Sequence, residues 1–224
     1  HSLSAASVAE EGVFFTTSDG QLRCLNPTNG AVRWSTAHAA WGPAPPLVHL
    51  GLVYTGGRDN VLRTYDARSG TLRWEFRAEN RFVYPLVADA QTVYALTREG
   101  PLYALDLLTG HLRWQLTGEW GRGFTTPPAL DPHAESGGRI LLGNRVDRDA
   151  NGERRHTYAM VAYRARDGVE SWRYFTQAHA STPPTATEGP VYFGTNDGNL
   201  YSVNSADGSL AWQVKATSRA VTEP

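Results

Sequence analysis

Tryptophan returns at a nearly fixed interval along this 224-residue chain. Successive members of one series are 40, 40, 58 and 40 residues apart, and each follows a glycine by four positions. A fixed period of this size indicates repeated units that each bury an apolar surface against the next unit. The tryptophans are Trp34, Trp74, Trp114, Trp172 and Trp212, and the glycines are Gly30, Gly70, Gly110, Gly168 and Gly208.

Each repeat is predicted to contain four short strands. A β-branched and aromatic run opens the unit, as at Val13-Phe14-Phe15, and a turn such as Ser18-Asp19-Gly20 follows. An alternating strand, the turn with the repeated glycine and the tryptophan strand complete it, and no helical period is present. One sheet of this kind cannot bury its own faces, so copies must stack. The sequence therefore predicts an all-β fold, a β-propeller of four-stranded antiparallel blades with five visible repeats.

The fullest copy of the repeat spans residues 104–114. Its sequence, Ala104-Leu105-Asp106-Leu107-Leu108-Thr109-Gly110-His111-Leu112-Arg113-Trp114, resembles the tryptophan-docking motif of the PQQ-type β-propeller repeat, Ala-x-Asp-x-x-Thr-Gly-x-x-x-Trp. The other copies are similar but degenerate, and Arg164 is the clearest departure because it occupies the aspartate position. The family includes proteins similar to outer-membrane assembly lipoproteins, sensor propellers of bacterial kinases and quinoprotein dehydrogenases. The resemblance implies that the five tryptophans and five glycines are structural docking residues.

The repeats divide the chain into one predicted propeller domain, 1–224. Their approximate bounds are 1–40, 41–80, 81–122, 123–178 and 179–218, and residues 219–224 resemble the start of a sixth repeat. Two interpretations remain open: the ring closes with five blades, or the chain is part of a larger ring of seven or eight blades. The second is favoured, because propellers of this family usually resemble the larger rings.

Charge and composition exclude several functional classes. The chain has 21 basic and 22 acidic residues, without the basic excess typical of nucleic-acid binding. No apolar run reaches the ~20 residues of a membrane-spanning helix. Cys24 is the single cysteine, so the disulfide of adjacent cysteines that the resemblance associates with PQQ in the dehydrogenases cannot form. We therefore expect no catalytic residues and no enzyme activity, and a fragment of a dehydrogenase is the least favoured interpretation.

No metal site is expected either. Asp147, Asp149 and Asn151 resemble the start of a calcium loop, since alternate oxygens can converge on one hard cation. Tyr158 occupies the position where the closing acidic ligand would be needed, and an Asn-Gly turn explains the same residues. Whether this segment binds calcium stays open.

Aromatic and arginine side chains concentrate in the connectors and hairpins that reach one rim of the predicted blades. These residue types are enriched at protein interfaces. The fourth copy also has its longest hairpin there, over residues 144–157. The alternative is that the two tryptophans outside the repeat series only cover seams between blades. The candidate cofactor- or partner-binding residues are Trp41, Arg81, Trp120, Arg122, Phe124, Arg145, Arg148 and His179.

Two functions fit this rim. The first is a non-catalytic protein-interaction scaffold or sensor domain that binds a protein partner through the rim and the 144–157 hairpin. The alternative is a module that binds PQQ or a similar small anion, in which Trp41 or Trp120 stacks on a planar ring and Arg122 pairs with carboxylates. No cofactor is expected, although PQQ is possible. The family resemblance alone implies an extracytoplasmic location, either periplasmic or at the cell surface.

Overall fold

The structure, a computed structural model, describes residues 3–38, 44–119, 123–134, 137–148 and 154–216, with the backbone alone at 147, 148 and 154–156. Its strands form five separate four-stranded sheets, and each sheet keeps its strands in chain order. In all five sheets the described strands pair antiparallel. The predicted all-β propeller fold is therefore confirmed, and we call the sheets blades 1 to 5 in chain order.

The blades have the following strands. Blade 1 contains β1 (Ser7–Ala9), β2 (Gly12–Thr16), β3 (Gln21–Leu25) and β4 (Val32–Ala37). Blade 2 contains β5 (Leu47–His49), β6 (Leu52–Gly56), β7 (Val61–Asp66) and β8 (Leu72–Arg77). Blade 3 contains β9 (Val87–Ala88), β10 (Thr92–Leu96), β11 (Leu102–Asp106) and β12 (Leu112–Leu116). Blade 4 contains β13 (Ala129–Asp131), β14 (Arg139–Arg148), β15 (Arg154–Arg164) and β16 (Glu170–Thr176). Blade 5 contains β17 (Thr185–Ala186), β18 (Pro190–Gly194), β19 (Asn199–Asn204) and β20 (Leu210–Lys215).

The turn before each fourth strand is held by side chains. In blade 3 the Asp106 carboxylate accepts hydrogen bonds from the Thr109 N–H (2.9 Å) and the Leu108 N–H (3.1 Å). The Arg113 guanidinium, beside the docking tryptophan, donates to the same carboxylate at 2.7 Å. This ion pair and the hydrogen bonds from Thr109 lower the pKa of Asp106. Arg113, in the fourth strand of blade 3, therefore stabilises the turn of its own blade.

The same turn contains an ion pair in blades 2 and 4, with the charges in the same places as in blade 3 for blade 2 and exchanged for blade 4. In blade 2 the Arg73 guanidinium donates to Asp66 at 2.6 Å, and together with the Ser69 N–H it lowers the pKa of Asp66 to about 2. In blade 4 the aspartate is replaced by Arg164, which pairs with the side chain of Asp167 through two hydrogen bonds of 3.0 and 2.9 Å. The departure from the repeat motif thus keeps an ion pair at the turn with its charges exchanged.

The chain forms two compact units. The first contains residues 1–98 and 102–113, and the second contains residues 99–101 and 114–224. Inside the first unit, the Trp34 indole N–H donates to the Ala67 carbonyl at 3.0 Å, and the Trp74 indole N–H donates to the Leu107 carbonyl at 3.2 Å. Each indole of one blade therefore makes a hydrogen bond to the glycine turn of the next blade.

The second unit repeats this arrangement. The Trp114 indole N–H donates to the Ala165 carbonyl at 3.1 Å, and the Trp172 indole N–H donates to the Ser205 carbonyl at 2.7 Å. Buried aliphatic and aromatic side chains fill the seam between blades 4 and 5, among them Leu141. The part of the chain that the structure describes contains no helix with the length and apolar character needed to cross a membrane.

Glycine is required where an indole lies against the turn. A Cβ added at Gly110 would lie 2.6 Å from Trp74 Cδ2, whereas one added at Gly30 would have no heavy atom within 4 Å. Both residues have left-handed backbone, with φ of +72° and +70°. The two glycines therefore carry the same conformational strain on substitution but differ in the tryptophan contact.

This difference gives a matched stability test. We expect Gly30→Ala to lower the free energy of unfolding by about 1 kcal/mol, the cost of left-handed backbone for a residue with a Cβ. Gly110→Ala should cost about 3 kcal/mol, because the overpacked indole must also shift. Urea unfolding of both variants and the parent measures the difference. Equal losses would show that the indole contact contributes nothing measurable.

Candidate functional site

Four side chains of the second unit meet at the end of blade 4 from which its long hairpin projects. Arg145 is exposed and lies directly opposite Tyr158 in the β14–β15 ladder, so the two side chains share one face of the sheet. The Tyr158 ring meets the His179 ring edge-on at 5.7 Å between centroids. Asn196, in the hairpin of blade 5, lies 3.0 Å from His179 Nε2. We call Arg145, Tyr158, His179 and Asn196 the rim cluster.

The hydrogen bonds of the rim cluster fix the tautomer and the ring orientation of His179. His179 Nδ1 lies 3.2 Å from the Ala180 carbonyl, which can only accept, so Nδ1 carries the proton. Nε2 then accepts from the Asn196 amide, and the Asn196 backbone N–H donates to the His179 carbonyl at 3.1 Å. The connector into blade 5 is thereby held against the neighbouring hairpin, so the half-buried imidazole is presented in one orientation.

The hairpin beside this cluster extends past its own blade. β13 pairs with β14 only over residues 139–141, and β16 reaches β15 only from Tyr158 onward. The β14–β15 pairing continues to Arg148 opposite Arg154, with an irregularity between Val146 and Arg148. The ribbon beyond Gly143 on one strand and before Tyr158 on the other therefore has outer edges that no named strand of blade 4 covers.

The remaining predicted binding residues have different locations. Arg81 is exposed in the first unit, and its carbonyl accepts from the Arg98 N–H at 2.9 Å. Phe124 is buried and packs edge-on against Tyr163, with 6.3 Å between ring centroids, so its ring does not contribute to an exposed surface. The backbone of Arg148 lies in β14, and its side chain is outside the described set. Trp41, Trp120 and Arg122 lie outside the described residues, as do Asp149 and Asn151 of the candidate calcium loop.

Two members of the rim cluster were missed by sequence reasoning. Asn196 begins an Asn-Asp-Gly turn, and the turn alone accounts for an asparagine there. Tyr158 stands in a strand where an aromatic residue is unremarkable. The ladder register places Tyr158 opposite Arg145, and a ring contact places it against His179.

The first unit contains a second, buried polar cluster. His38 has no exposed surface; its Nδ1 lies 3.2 Å from the Tyr65 hydroxyl and 3.3 Å from Thr55 Oγ1. Its Nε2 has no hydrogen-bond partner in the described structure. Burial, with a smaller contribution from the positive charge of Arg63, lowers the pKa of His38 to about 4. His38 is thus a neutral core residue.

The described residues contain no group of three or more His, Cys, Asp and Glu side chains that could hold a metal ion. Cys24 is buried in β3, where it packs in a cluster with Phe14 and Leu22. Burial raises the pKa of the Cys24 thiol, which favours the unreactive protonated form.

The repeats of this chain match a known protein family. The family model described as outer membrane protein assembly factor BamB matches residues 1–125 and 118–223. The chain belongs to this family. A curated BamB from Moranella endobia (strain PCIT) is 32% identical over 83 residues, which cover 37% of this chain and 20% of that protein. The sequence match therefore spans about a fifth of that relative's length.

Solved structures agree with the fold of a BamB-family propeller. BamB from Moraxella catarrhalis aligns with a TM-score of 0.55 at 18% identity, over 95% of this chain and 76% of that one. The quinohemoprotein alcohol dehydrogenase ADHIIG from Pseudomonas putida HK5 aligns with a TM-score of 0.62 at 18% identity, over 80% of this chain and 34% of the enzyme. These likenesses support the PQQ-type propeller fold that the repeat motif implied.

The buried His38 predicts an acid-sensitive stability. The unfolded chain binds a proton at His38 with a pKa near 6.5, whereas the folded chain binds it only near pH 4. Stability from this residue is therefore complete above about pH 6.5 and is lost as the pH falls towards 4, by at most about 3 kcal/mol.

Urea unfolding of the parent and of His38→Gln between pH 8 and pH 4 tests this. At pH 8 the difference between the two proteins gives only the cost of the substitution. As the pH falls, that difference should shrink by up to about 3 kcal/mol, because the variant has no imidazole to protonate. Parallel pH profiles would contradict the assignment of His38 as a buried neutral group.

Proposed function

We propose that this chain is a non-catalytic protein-interaction module that takes part in outer-membrane protein assembly and binds its partner through the rim cluster and the 144–157 hairpin. Membership of the family described as an outer membrane protein assembly factor supports the process. The geometry of the second unit supports the location on the chain.

One observation carries the assignment of the surface. The rim cluster combines an exposed arginine, a half-buried tyrosine and a histidine whose orientation is fixed by Asn196. Aromatic and arginine side chains held in place before binding lose little conformational entropy when a partner arrives. The uncovered backbone edges of the adjoining ribbon add hydrogen-bonding groups to the same surface.

A non-catalytic role agrees with the chemistry of the described residues. The histidine of the rim cluster has an amide and a backbone carbonyl as partners, and neither can exchange a proton with it in a catalytic relay. The single cysteine is a buried core residue whose thiol is held protonated. An extracytoplasmic location belongs to the same proposal and rests on the outer-membrane process in the family's description.

Site-specific photo-crosslinking tests the proposed surface. A benzophenone amino acid at position 145, in the chain exported to the periplasm of a diderm bacterium, should give an adduct with a component of the outer-membrane assembly machinery. His179→Ala in the same protein should reduce that adduct about tenfold, the effect of losing ~1.4 kcal/mol at an interface.

The matched control places the photo-crosslinker at Arg68. This residue is also an exposed arginine, but it lies in the turn between the third and fourth strands of blade 2, where no adduct is expected. Equal adducts at positions 68 and 145, or none at 145, would contradict the proposal. Saturable quenching of tryptophan fluorescence by micromolar PQQ, together with no adduct, would favour the small-ligand alternative.

A further inference from the structure

A cavity of about 500 Å³ lies on the first unit, beside the turn that joins β5 to β6. Two other turns contribute to it, those between the third and fourth strands of blades 2 and 3. Every residue of its lining belongs to the first unit. We call it the leucine cavity, because Leu50, Leu52 and Leu108 form its apolar lining.

Two of these leucines are exposed at positions where other blades have polar or small residues. Leu108 is 69% exposed and lies two residues before a repeated glycine. The residues at that position in the other blades are Thr28, Arg68, Arg166 and Ala206. Leu50 is 65% exposed, and Glu10 has the corresponding place in the two-residue hairpin of blade 1. The fold therefore gains little from either side chain, yet both line one cavity.

Leu50 also has a strained backbone. Its φ is +48°, that of Gly51 is +73°, and the two form the loop between paired residues His49 and Leu52. Positive φ at both loop residues is typical of a type I′ turn, whose first position favours asparagine, aspartate or glycine. A leucine there is strained by its Cβ and remains exposed. Such a backbone outlier points to a role for this side chain outside folding.

One positive and one negative side chain in the lining are available to a ligand. Asp66 and Arg73 pair with each other at 2.6 Å. Among the described residues, neither the Arg68 guanidinium nor the Glu11 carboxylate forms an ion pair. These two residues also line a smaller cavity of about 230 Å³, so both cavities share them. The leucine cavity thus combines an apolar wall with two unpaired, opposite charges.

Backbone hydrogen bonds hold the three turns of the leucine cavity in place. The Ala67 N–H donates to the Gly51 carbonyl at 2.9 Å, which joins the β5–β6 turn to the turn after β7. The Leu107 carbonyl, next to Leu108, accepts from the Trp74 indole N–H at 3.2 Å. The cavity is therefore formed before a ligand arrives, and little backbone must be ordered on binding.

We propose that the leucine cavity binds a short apolar peptide with free termini. The peptide carboxylate would pair with Arg68, its ammonium group with Glu11, and its side chains would pack on Leu50 and Leu108. The volume of the cavity lies in the range of about 300–1,000 Å³ typical of small-ligand sites. The proposal goes beyond the proposed function, because its ligand is a small molecule and its residues belong to the first unit rather than to the rim cluster.

A peptide with free termini is the occupant because its charges match those of the cavity one for one. Near pH 7 such a peptide carries one carboxylate and one ammonium group. A dianion would bring a like charge to Glu11, and a fatty acid would leave that carboxylate without a partner. An uncharged apolar molecule would desolvate both charges without compensation. A free amino acid has the same two charges but only one side chain for the two exposed leucines.

Titration with leucyl-leucine, followed by ¹H–¹⁵N NMR spectra of the chain, tests the proposal. We expect saturable shifts at the leucine cavity with a dissociation constant on the order of 0.1–1 mM. Leucyl-leucinamide lacks the carboxylate and N-acetyl-leucyl-leucine lacks the ammonium group, so each should bind about tenfold more weakly. Free leucine should also bind more weakly, because it can contact only one of the exposed leucines.

Two variants assign each charge of the peptide to its partner. Arg68→Gln should weaken leucyl-leucine about tenfold but leave the affinity for leucyl-leucinamide unchanged, because that ligand has no carboxylate to lose. Glu11→Gln should likewise weaken leucyl-leucine and leave N-acetyl-leucyl-leucine unchanged. Both variants replace exposed or half-buried surface groups, and their NMR spectra show whether they are folded.

Leu50→Asn separates binding from folding. Asparagine suits the first position of this turn, so the urea midpoint of the variant should rise while leucyl-leucine binds about fivefold more weakly. Leu112→Asn is the matched control, since Leu112 is a 47% exposed leucine of blade 3 outside the cavity lining. This control should bind leucyl-leucine like the parent.

Several outcomes would overturn the proposal. One is a parent spectrum without saturable shifts at about 20 mM leucyl-leucine. Another is equal affinity for leucyl-leucine and its two blocked forms, which would show that the charges are not recognised. Unchanged binding by Leu50→Asn, or equal losses in Leu50→Asn and Leu112→Asn, would show that the strained leucine does not contact the ligand. None of these outcomes bears on the photo-crosslinking at position 145.

Discussion

The contact between an indole and a glycine turn is the interaction on which the rest of this fold depends. Each blade is a small sheet that cannot bury both of its faces, so its stability must come from the neighbouring blade. The indole contributes a large apolar area and one directional hydrogen bond to a backbone carbonyl. That bond requires the turn to approach closely, and the missing side chain of the glycine permits the approach. The 40-residue spacing of the sequence is therefore the spacing of this contact between an indole and a glycine turn.

The ion pairs beside these turns show how repeats that depart from the motif keep the contact between the indole and the glycine turn. Asp106 and Arg113 hold the turn of blade 3, and Asp66 and Arg73 hold that of blade 2. In blade 4, Arg164 replaces the aspartate, yet Asp167 supplies the opposite charge from within the same turn. Exposed ion pairs contribute little free energy by themselves. Their value here is geometric, because they bias the turn towards the conformation that the neighbouring indole needs.

Sequence analysis predicted the fold far better than the candidate site. Periodicity, turn chemistry and the docking motif all describe the scaffold, and they identified blades, strands and family. Burial is not encoded in such patterns: Phe124 was predicted to line the rim but is enclosed by packing against Tyr163 of a distant segment. The rim cluster is likewise assembled by the register that places Tyr158 opposite Arg145, by the ring contact of Tyr158 with His179, and by a loop contact to Asn196. No local sequence signal specifies such a contact.

Function in a repeat protein is concentrated where the repeat fails. Blade 4 keeps the tryptophan and the glycine of the repeat, although Arg164 replaces the aspartate, and its β14–β15 hairpin extends beyond the strands that pair within the blade. It continues after both neighbouring strands have ended, and the ordered histidine lies at its base. Sheet edges left uncovered in water invite pairing with another chain, and proteins normally shorten or shield them. The proposed function places a partner at this ribbon, beside the aromatic and arginine side chains of the rim cluster.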